Sequence, residues 1–256
     1  MGCGMVTGMK IVTWNVNGIR ARREQVLAWL DQERPDVLCL QETKASPEQV
    51  PISLQTMEKY WSYWHGFKGY SGVALLVRKE FCPKVPIFEH PHFNMENRIV
   101  TALINGITVA SIYVPNGGKD FNAKIRFIAS MSAFAESFAE TKRPLILCGD
   151  LNIAHAPIDV HPSQRREVIG QLPVERQAFD EILSHGLTDI GRSIAPDDDR
   201  LFTWWAPWRG MREKNIGWRL DYFLASRSLA KAASSCAVER AFGTSDHGPV
   251  VGIFDL

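Results

Sequence analysis

The feature that most constrains this chain is a set of short, unbroken apolar runs of strand length. Residues 36–41 read DVLCLQ, residues 71–78 read SGVALLVR and residues 144–148 read PLILC. A run that is apolar at consecutive positions has no polar face, which is typical of a strand buried on both sides. Several such strands require cover on both faces of their sheets. The runs therefore indicate a layered α/β structure.

Weaker patterns complete the predicted elements. Further strands are predicted over residues 10–16, 98–104, 107–114, 220–225 and 250–254. Helical spacing of apolar residues predicts helices over residues 20–32, 121–140 and 174–185. Asn105-Gly106 joins two strands and is a strong hairpin signal. Because hairpins mix with strand–helix–strand units, we expect mixed sheets covered by helices in one domain over residues 9–256, rather than a doubly wound sheet.

Composition and charge limit the possible partners. The chain is 45% hydrophobic and 22% charged, as in ordinary globular proteins. Its 29 Lys and Arg nearly balance 28 Asp and Glu, a net charge of +1. A nucleic-acid partner would therefore be bound by a local patch rather than by an overall positive field. No stretch approaches the roughly 18 consecutive apolar residues of a membrane span, so no membrane partner is expected.

The cysteines and the first residues bear on the compartment. The five cysteines are isolated and lack metal-binding spacings. Cys39 and Cys148 lie within apolar runs, where a thiol acts as a small hydrophobe. Reduced core cysteines in a cytoplasmic protein are therefore expected. The start lacks a signal-peptide pattern and has three methionines in nine residues, so residues 1–8 are predicted to be a disordered tail.

Polar side chains gather at the ends of the predicted strands. They are Asn15, Asn17, Glu42, Tyr113, Asn116, Asp150, Asn152, Asp221, Asp246 and His247. Strand ends that share one sheet edge are where α/β folds place their ligands. A site rich in carboxylate and amide oxygens suits Mg²⁺ or Mn²⁺ rather than zinc.

Each of these residues also has a simpler interpretation. Asn15 and Asn17 could cap a turn, since Asn-Gly is common turn chemistry. Glu42 could pair with Lys44, Asp150 could start a turn, and His247 could be a surface histidine. These interpretations do not explain why every candidate falls at a strand end. The shared position favours a functional site.

A tryptophan-rich segment suggests a partner. Trp204, Trp205, Trp208 and Trp218 fall within 15 residues, interleaved with Arg209, Arg212, Lys214 and Arg219. Aromatic rings that stack on bases or sugars, mixed with cations that bind phosphates, are typical of nucleic-acid binding. The alternative is a packing cluster beneath a basic loop, which would account for one or two of the rings.

Several short sequence blocks, in the same order along the chain, are together specific to one protein family. From Lys10 to Leu256 the chain resembles the exonuclease III family of apurinic/apyrimidinic (AP) endonucleases. The matching blocks are WNVNGIR (14–20), LCLQETK (38–44), GYSGVA (69–74), YVPNG (113–117), GDLNIAH (149–155), TWW (203–205), GWRLDY (217–222) and SDH (245–247). The resemblance implies a DNase I-like four-layer α/β sandwich, with two mixed sheets face to face and helices outside. It also implies Mg²⁺-dependent hydrolysis of DNA phosphodiesters, with Mn²⁺ as a possible substitute.

The resemblance also implies a role for each matching residue. Glu42 and Asp246 would hold the metal, with Asn15 and Asn17 close by. Asp150 would align or deprotonate the attacking water, and Asn152 would hold that water and the phosphate. His247, oriented by Asp221, would contact the scissile phosphate, and Tyr113 would donate to the phosphate or the leaving oxygen. Residues implied to bind substrate are Trp204, Trp218 and Leu220 in a pocket for a flipped-out abasic sugar, with Asn116, Lys119 and Arg98.

The sequence departs from the family pattern at two places. Glu96-Asn97-Arg98 stands where relatives more often have Glu-Gly-Arg, so only its outer residues carry over. The segment 159–170 lacks the asparagines common there. Gly170 leaves room beside the active site, whereas a bulky residue would favour 3′-end trimming without abasic incision. The 208–211 loop and Lys119 lie where relatives insert side chains into DNA grooves.

These patterns support one leading hypothesis and three alternatives. The leading hypothesis is a monomeric DNA-repair nuclease that cuts double-stranded DNA 5′ to abasic sites, leaves a 3′-hydroxyl and also trims blocked 3′ ends by 3′–5′ exonuclease or 3′-phosphodiesterase activity. The first alternative is a 3′-end-processing exonuclease with little abasic incision. The second keeps the fold but acts on other phosphodiesters or on inositol phosphates. The third is a non-catalytic DNA-binding protein.

Overall fold

The computed structural model describes residues 8–256 and contains twelve strands and six α-helices within them. The tail predicted for residues 1–8 lies outside the described residues except for Gly8, which directly precedes the first strand. The strands are β1 Met9–Asn15, β2 Val37–Gln41, β3 Tyr60–Phe67, β4 Tyr70–Arg78, β5 Ile87–Glu89, β6 Ile99–Ile104, β7 Ile107–Tyr113, β8 Leu145–Asp150, β9 Leu187–Asp189, β10 Asp221–Ser226, β11 Ala233–Val238 and β12 Val250–Phe254. The helices are α1 Ile19–Glu33, α2 Ile52–Gln55, α3 Phe121–Glu140, α4 Pro173–Ser184, α5 Ile190–Ile194 and α6 Arg227–Ala230.

The strands form two six-stranded sheets with related designs. The first sheet has the order β11-β12-β1-β2-β4-β3 and the second β5-β6-β7-β8-β10-β9. Each contains one parallel pair, β1 with β2 and β7 with β8, among antiparallel neighbours. A parallel pair needs a long crossover, and α1 and α3 provide it in the two sheets. The predicted mixed sheets are therefore confirmed.

Alternate residues of the buried strands face two different cores. Val37 and Cys39 of β2 pack in the core between the sheets, whereas Leu38 and Leu40 pack beneath α1. In the second sheet the inner core takes Ile146 and Cys148, while Leu145 and Leu147 lie beneath α3 and α4. This alternation explains why the runs are apolar at every position. The order of layers is helix, sheet, sheet and helix, which confirms the predicted four-layer sandwich.

A buried polar contact joins the sheets near the carboxyl ends of the parallel strands. Gln41 accepts from Thr13 Oγ1 at 3.1 Å and donates to Ser111 Oγ at 3.0 Å. The Ser111 hydroxyl in turn donates to the carbonyl of Leu40 at 3.1 Å. Because these groups are satisfied only when the sheets are aligned, they fix the two strand edges relative to each other.

No helix among residues 8–256 is long and apolar enough to cross a membrane.

Candidate active site

The strand pairing brings the sequence-predicted residues to one edge of the sandwich. Asn15 ends β1 opposite Gln41, directly before Glu42. In the second sheet Asp150 ends β8 and pairs with both Tyr113 of β7 and Asp221 of β10.

Asp246 and His247 join this edge from the loop before β12. The Trp14 indole donates to the carbonyl of His247 at 3.1 Å, and the Ser245 hydroxyl donates to the carbonyl of Asn15 at 2.7 Å. These bonds hold the loop against the end of β1. Both sheets therefore contribute to a single site.

Three of the site residues have a left-handed backbone. Asn17, Glu42 and Asn152 have φ values of 45°, 49° and 51°. This conformation is uncommon for residues other than glycine, and such strain gathers at functional sites. Each of the three lies within two residues of the end of a strand, namely β1, β2 or β8.

A buried histidine forms the electrostatic centre of the site. His247 Nδ1 lies 2.8 Å from Asp221 Oδ2, and its Nε2 lies 3.8 Å from Asp150 Oδ2. Burial alone would lower the pKa of His247, but the charges of Asp221 and Asp150 outweigh it and raise the pKa to about 10. The ring is therefore an imidazolium at neutral pH, fixed by one carboxylate and facing another.

Asp150 is held in a buried hydrogen-bonded position. Burial raises its pKa to about 7, because the charge of His247 offsets only part of the cost of desolvation. Asn15 Nδ2 donates to its Oδ2 at 2.9 Å and the Asn152 amide N–H to its Oδ1 at 2.9 Å. A carboxyl group with a pKa near neutrality can exchange a proton with a bound water.

Tyr113 adds a donor to the same edge. The side chain is buried, and burial together with the charges of Glu42 and Asp150 raises the pKa of Tyr113 well above its usual range. The phenol therefore keeps its proton and remains available as a hydrogen-bond donor.

Glu42 and Asp246 provide two further carboxylates, both ionised, in the same cleft. Burial would raise the pKa of each, yet both are lowered: that of Glu42 by Asn15 and Lys44, and that of Asp246 by the charge of His247, by Asn17 and by Trp204. Asn17 Nδ2 donates to Asp246 Oδ1 at 2.9 Å.

These residues fit a hard cation. Lys44 Nζ lies 2.8 Å from Glu42 Oε2 and donates to Asn17 Oδ1 at 2.6 Å, so the oxygens already attract a positive charge. A donor set of carboxylate and amide oxygens suits Mg²⁺ or Mn²⁺. Asp150, Asp221 and His247 also place ligand atoms within 4.8 Å of one another. A protonated histidine cannot ligate a metal, so the oxygens of Glu42 and Asp246 are the better ligands.

A cleft of about 350 Å³ opens beside these groups. Trp204 and Trp218 meet edge to face with ring centroids 5.7 Å apart. Leu220, which is buried, and Gly170 complete the apolar part of its wall. The Trp204 indole donates to Asp246 Oδ2 at 3.0 Å and so joins the apolar wall to the acidic side of the site.

Two predicted substrate-binding residues lie outside this cleft. Arg98 and Lys119 line a neighbouring cavity of about 270 Å³, which shares Tyr113 and Asn116 with the main cleft. Arg98 is buried, and its guanidinium lies 4.6 Å from the Tyr113 ring centroid and bonds to Glu96 Oε2 at 2.9 Å. It is therefore in contact with a site residue while being shielded from solvent.

The tryptophan-rich segment is less basic at its surface than the sequence suggests. Arg219 is buried and binds Asp159 and Asp189, and Arg212 donates to four backbone carbonyls, among them that of Ser245 at 2.6 Å. Trp205 is buried as well. Internal carbonyls and acids therefore satisfy Arg212 and Arg219, which leaves them unable to serve as the phosphate-binding cations that the sequence suggested. The burial of Trp205 agrees with the packing interpretation for one of the rings.

Sequence analysis missed one contact of the pocket. Gln164 Oε1 accepts from the Trp218 indole at 2.6 Å. Gln164 lies in the segment 159–170, which lacks the asparagines of the family pattern, and no local pattern distinguishes its amide from those of other glutamines. The pairing becomes apparent only when the segment folds against Trp218.

Two mixed sheets with carboxylates, amides and an imidazolium at their joined ends define a phosphoesterase. The chain belongs to the Endonuclease/Exonuclease/phosphatase family, whose profile matches residues 12–247. This confirms the resemblance found in the sequence.

Relatives and solved structures agree with this membership. The chain is 34% identical to an exodeoxyribonuclease of Bacillus subtilis over 97% of this chain and 100% of the relative. It is equally identical, at 34%, to the DNA repair nuclease APEX1 of Danio rerio, over 96% of this chain and 82% of that protein. A 3′-5′ exonuclease from Neisseria meningitidis superposes with a TM-score of 0.87 at 34% identity, covering 97% of this chain and 100% of that one. An AP endonuclease from Archaeoglobus fulgidus gives 0.83 at 31% identity, with the same coverage.

Proposed function

We propose that the protein is a DNA-repair nuclease that cleaves the phosphodiester 5′ to an abasic site in double-stranded DNA and leaves a 3′-hydroxyl. It also trims 3′ ends as a 3′–5′ exonuclease or 3′-phosphodiesterase, and it acts as a monomer. The observation that carries the proposal is the cleft itself, where the imidazolium of His247 and the carboxyl of Asp150 lie beside an apolar pocket.

The site residues divide the work of phosphodiester hydrolysis. Asp150 accepts the proton of the attacking water, since its pKa of about 7 matches that task. Asn152 positions the water and the phosphate. His247, held by Asp221, neutralises charge that develops on the phosphate oxygens, and Tyr113 donates to the phosphate or the leaving oxygen. Mg²⁺, bound by Glu42 and Asp246 with Asn15 and Asn17 close by, would supply charge stabilisation at the phosphate.

The apolar wall accounts for the choice of an abasic site. A pocket of Trp204, Trp218 and Leu220 accepts a sugar without a base and clashes with a complete nucleotide. An abasic nucleotide also costs little to flip out, because it has no base to unpair or unstack. Asn116 and Lys119 line the adjoining cavity, where they are suited to hold the DNA backbone. The buried Arg98 lies against the Tyr113 ring and acts on the substrate only through that contact.

A single assay tests the proposal. Duplexes with a tetrahydrofuran abasic analogue, a 3′-phosphoglycolate, uracil or no damage are incubated with the protein, with and without Mg²⁺. We expect cleavage 5′ to the analogue and release of the phosphoglycolate, both only with the metal. An uncut abasic strand would contradict the proposal. Inositol phosphates are assayed in parallel, and hydrolysis of these alone would assign the site to other phosphoesters.

A second candidate is a 3′-end-processing exonuclease with little abasic incision. It is favoured by the likeness to two Neisseria structures, described as a 3′ phosphatase and a 3′-5′ exonuclease, with TM-scores of 0.88 and 0.87. The same assay separates the two functions, because this candidate releases the phosphoglycolate but leaves the internal abasic site uncut.

A further inference from the structure

An ion pair lies fully buried beneath the cleft and takes no part in the chemistry described above. Lys124 of α3 and Glu175 of α4 both have 0% side-chain exposure, and Nζ lies 2.5 Å from Oε1. Neither residue lines the cleft. Charged side chains are almost never fully buried unless they are paired. The groups that surround this pair therefore indicate its role: backbone atoms bond to both charged side chains.

The ammonium group of Lys124 holds two loops that line the cleft. Its Nζ donates to the carbonyl of Asn152 at 2.8 Å and to that of Asn116 at 3.4 Å. Asn152 follows β8 and Asn116 follows β7, so one cation joins the ends of the parallel pair. The side chain of Asn152 also donates to the carbonyl of Val114 at 2.9 Å, which ties the same two loops together.

The carboxylate of Glu175 holds a third segment. Its Oε2 accepts from the backbone N–H groups of Gly170 at 2.6 Å and Leu172 at 3.0 Å. The carbonyl of Gly170 accepts from Ala154 N at 2.7 Å, which links the segment back to the loop after β8. Gly170 in turn lies against the Trp218 ring.

We infer that Lys124 and Glu175 are positioning residues of the nuclease reaction, which fix Asn152, Asn116 and the Gly170 wall relative to one another. The inference rests on the proposed function. Every bond from the pair to these loops goes to a backbone atom, so the pair sets the path of the chain rather than the chemistry of a side chain. A displacement of about 1 Å in a reacting group can lower a rate about 100-fold.

A contribution to the free energy of folding does not by itself explain why a buried ion pair is present here. Removing two charges from water costs about as much as their attraction returns, and neutral replacements of similar volume are often neutral or stabilising. The fold should therefore tolerate a neutral pair. The loops would then lose the cation and the carboxylate that hold their backbone atoms.

The first experiment compares two neutral double variants. In Lys124→Met/Glu175→Gln the glutamine oxygen still accepts one backbone N–H. The control, Asp36→Asn/Arg78→Met, removes an ion pair at the opposite end of β2. We expect kcat on the abasic duplex to fall about 10- to 100-fold in the first variant, with KM changed less than about threefold. The control should keep wild-type kcat, and both should unfold cooperatively.

The second experiment separates positioning from general loosening. The Lys124→Met/Glu175→Gln change is repeated in an Asn152→Ala background. If the pair acts through the Asn152 loop, the double change should lower kcat far less in the Asn152→Ala background than in the wild type. The inference would be overturned if the fold-losses in kcat from the double change and from Asn152→Ala simply multiplied. It would also be overturned if kcat were unchanged in Lys124→Met/Glu175→Gln alone. Wild-type protein without activity on abasic DNA would instead refute the proposed function.

Discussion

Asp150 and His247 illustrate how burial and neighbouring charges together assign roles to individual residues. The two side chains share one buried site, yet the pKa of the carboxyl is about 7 and that of the imidazole about 10. At neutral pH the pair therefore has one group able to take up a proton and one that stays positively charged. A surface carboxylate or histidine would have neither property.

The Asp150→Asn variant tests the assigned base. We expect kcat on the abasic duplex to fall by about 10²- to 10⁴-fold, because an amide cannot accept the proton of the water. DNA affinity, measured by fluorescence anisotropy, should change little. An Asp31→Asn variant removes an exposed carboxylate far along α1 and serves as the control. Normal turnover by Asp150→Asn would assign the base elsewhere.

The pH profile tests the imidazolium. Because the folded-state pKa of His247 lies above its unfolded value of about 6.5, its charge stabilises the fold fully below that value and the gain is lost as pH rises through about 10. Activity that needs the ionised Asp150 and the charged ring should rise through about pH 7 and fall near pH 10.

Asp221→Asn should change only one limb of that profile. Without the charge of Asp221, only Asp150 and Asp246 oppose the effect of burial, so the pKa of His247 falls and the alkaline limb of kcat/KM moves to lower pH. Asp198→Asn, at an exposed position, should leave both limbs unchanged. An unmoved alkaline limb in Asp221→Asn would show that Asp221 does not set the charge of the ring.

The sequence was enough to predict that polar residues next to apolar runs would form the site. It was not enough to predict which groups each arginine or lysine would bind. Asp150 ends β8, whereas Asp221 begins β10 and His247 precedes β12. They reach the same edge because β10 runs antiparallel to β8, which pairs Asp221 with Asp150. Nothing local distinguishes Arg219, which is buried between two acids, from a phosphate-binding arginine. Such a distinction depends on residues that are 30 and 60 positions away.

At the scale of elements, the predicted strands are those with an apolar run, an alternating pattern or a hairpin signal in their own sequence. β2, β4 and β8 were predicted because they are apolar at consecutive positions. In the structure they are buried at every position except the two end residues of β4. Sequence analysis missed β3, β5, β9 and β11. β3 and β5 are edge strands with many half-buried or exposed residues, β9 has only three residues, and β11 is irregular where it pairs with β12. Their pairing depends on neighbours rather than on their own patterns.

The segment before α4 gives a prediction about substrate choice. Gly170 has φ +92°, and a Cβ there would meet the Trp218 ring at 3.0 Å. We expect Gly170→Val to lower abasic incision at least about tenfold by filling or shifting the pocket wall, while trimming of 3′-phosphoglycolate falls less than about threefold.

A second glycine separates backbone strain from contact with the pocket. Gly186 has φ +83° and nothing within 4 Å of a built Cβ, so Gly186→Val introduces similar strain without touching Trp218. The two variants should lose similar stability in urea unfolding, yet only Gly170→Val should change the ratio of incision to trimming. Equal ratios in both would show that Gly170 does not shape the pocket.

At the scale of the whole molecule, the net charge of +1 hides an uneven distribution. Residues 201–256 hold seven Lys and Arg against five Asp and Glu, whereas residues 151–200 hold five against nine. The structure moderates this contrast, because Arg212 and Arg219 are satisfied internally. We therefore expect modest, salt-sensitive affinity for undamaged DNA, with selection of the damaged substrate at the pocket.

Removal of the metal tests whether the acidic side of the site serves chemistry or folding. The carboxylates of Glu42 and Asp246 are already compensated by Lys44, Asn17 and Trp204, so the fold should not depend on a bound ion. With EDTA we expect cleavage of the abasic duplex to fall at least about 100-fold, while Tm changes by less than about 2 °C.

Restoring the ion separates a catalytic from a structural role. Adding back Mg²⁺ or Mn²⁺ should return the activity without any refolding step. In Glu42→Gln/Asp246→Asn both metals should restore far less activity, whereas the Asp36→Asn/Arg78→Met control should respond like the wild type. A large fall in Tm with EDTA would mean that the ion is structural. Undiminished cleavage by Glu42→Gln/Asp246→Asn with added metal would exclude Glu42 and Asp246 as ligands of a catalytic ion.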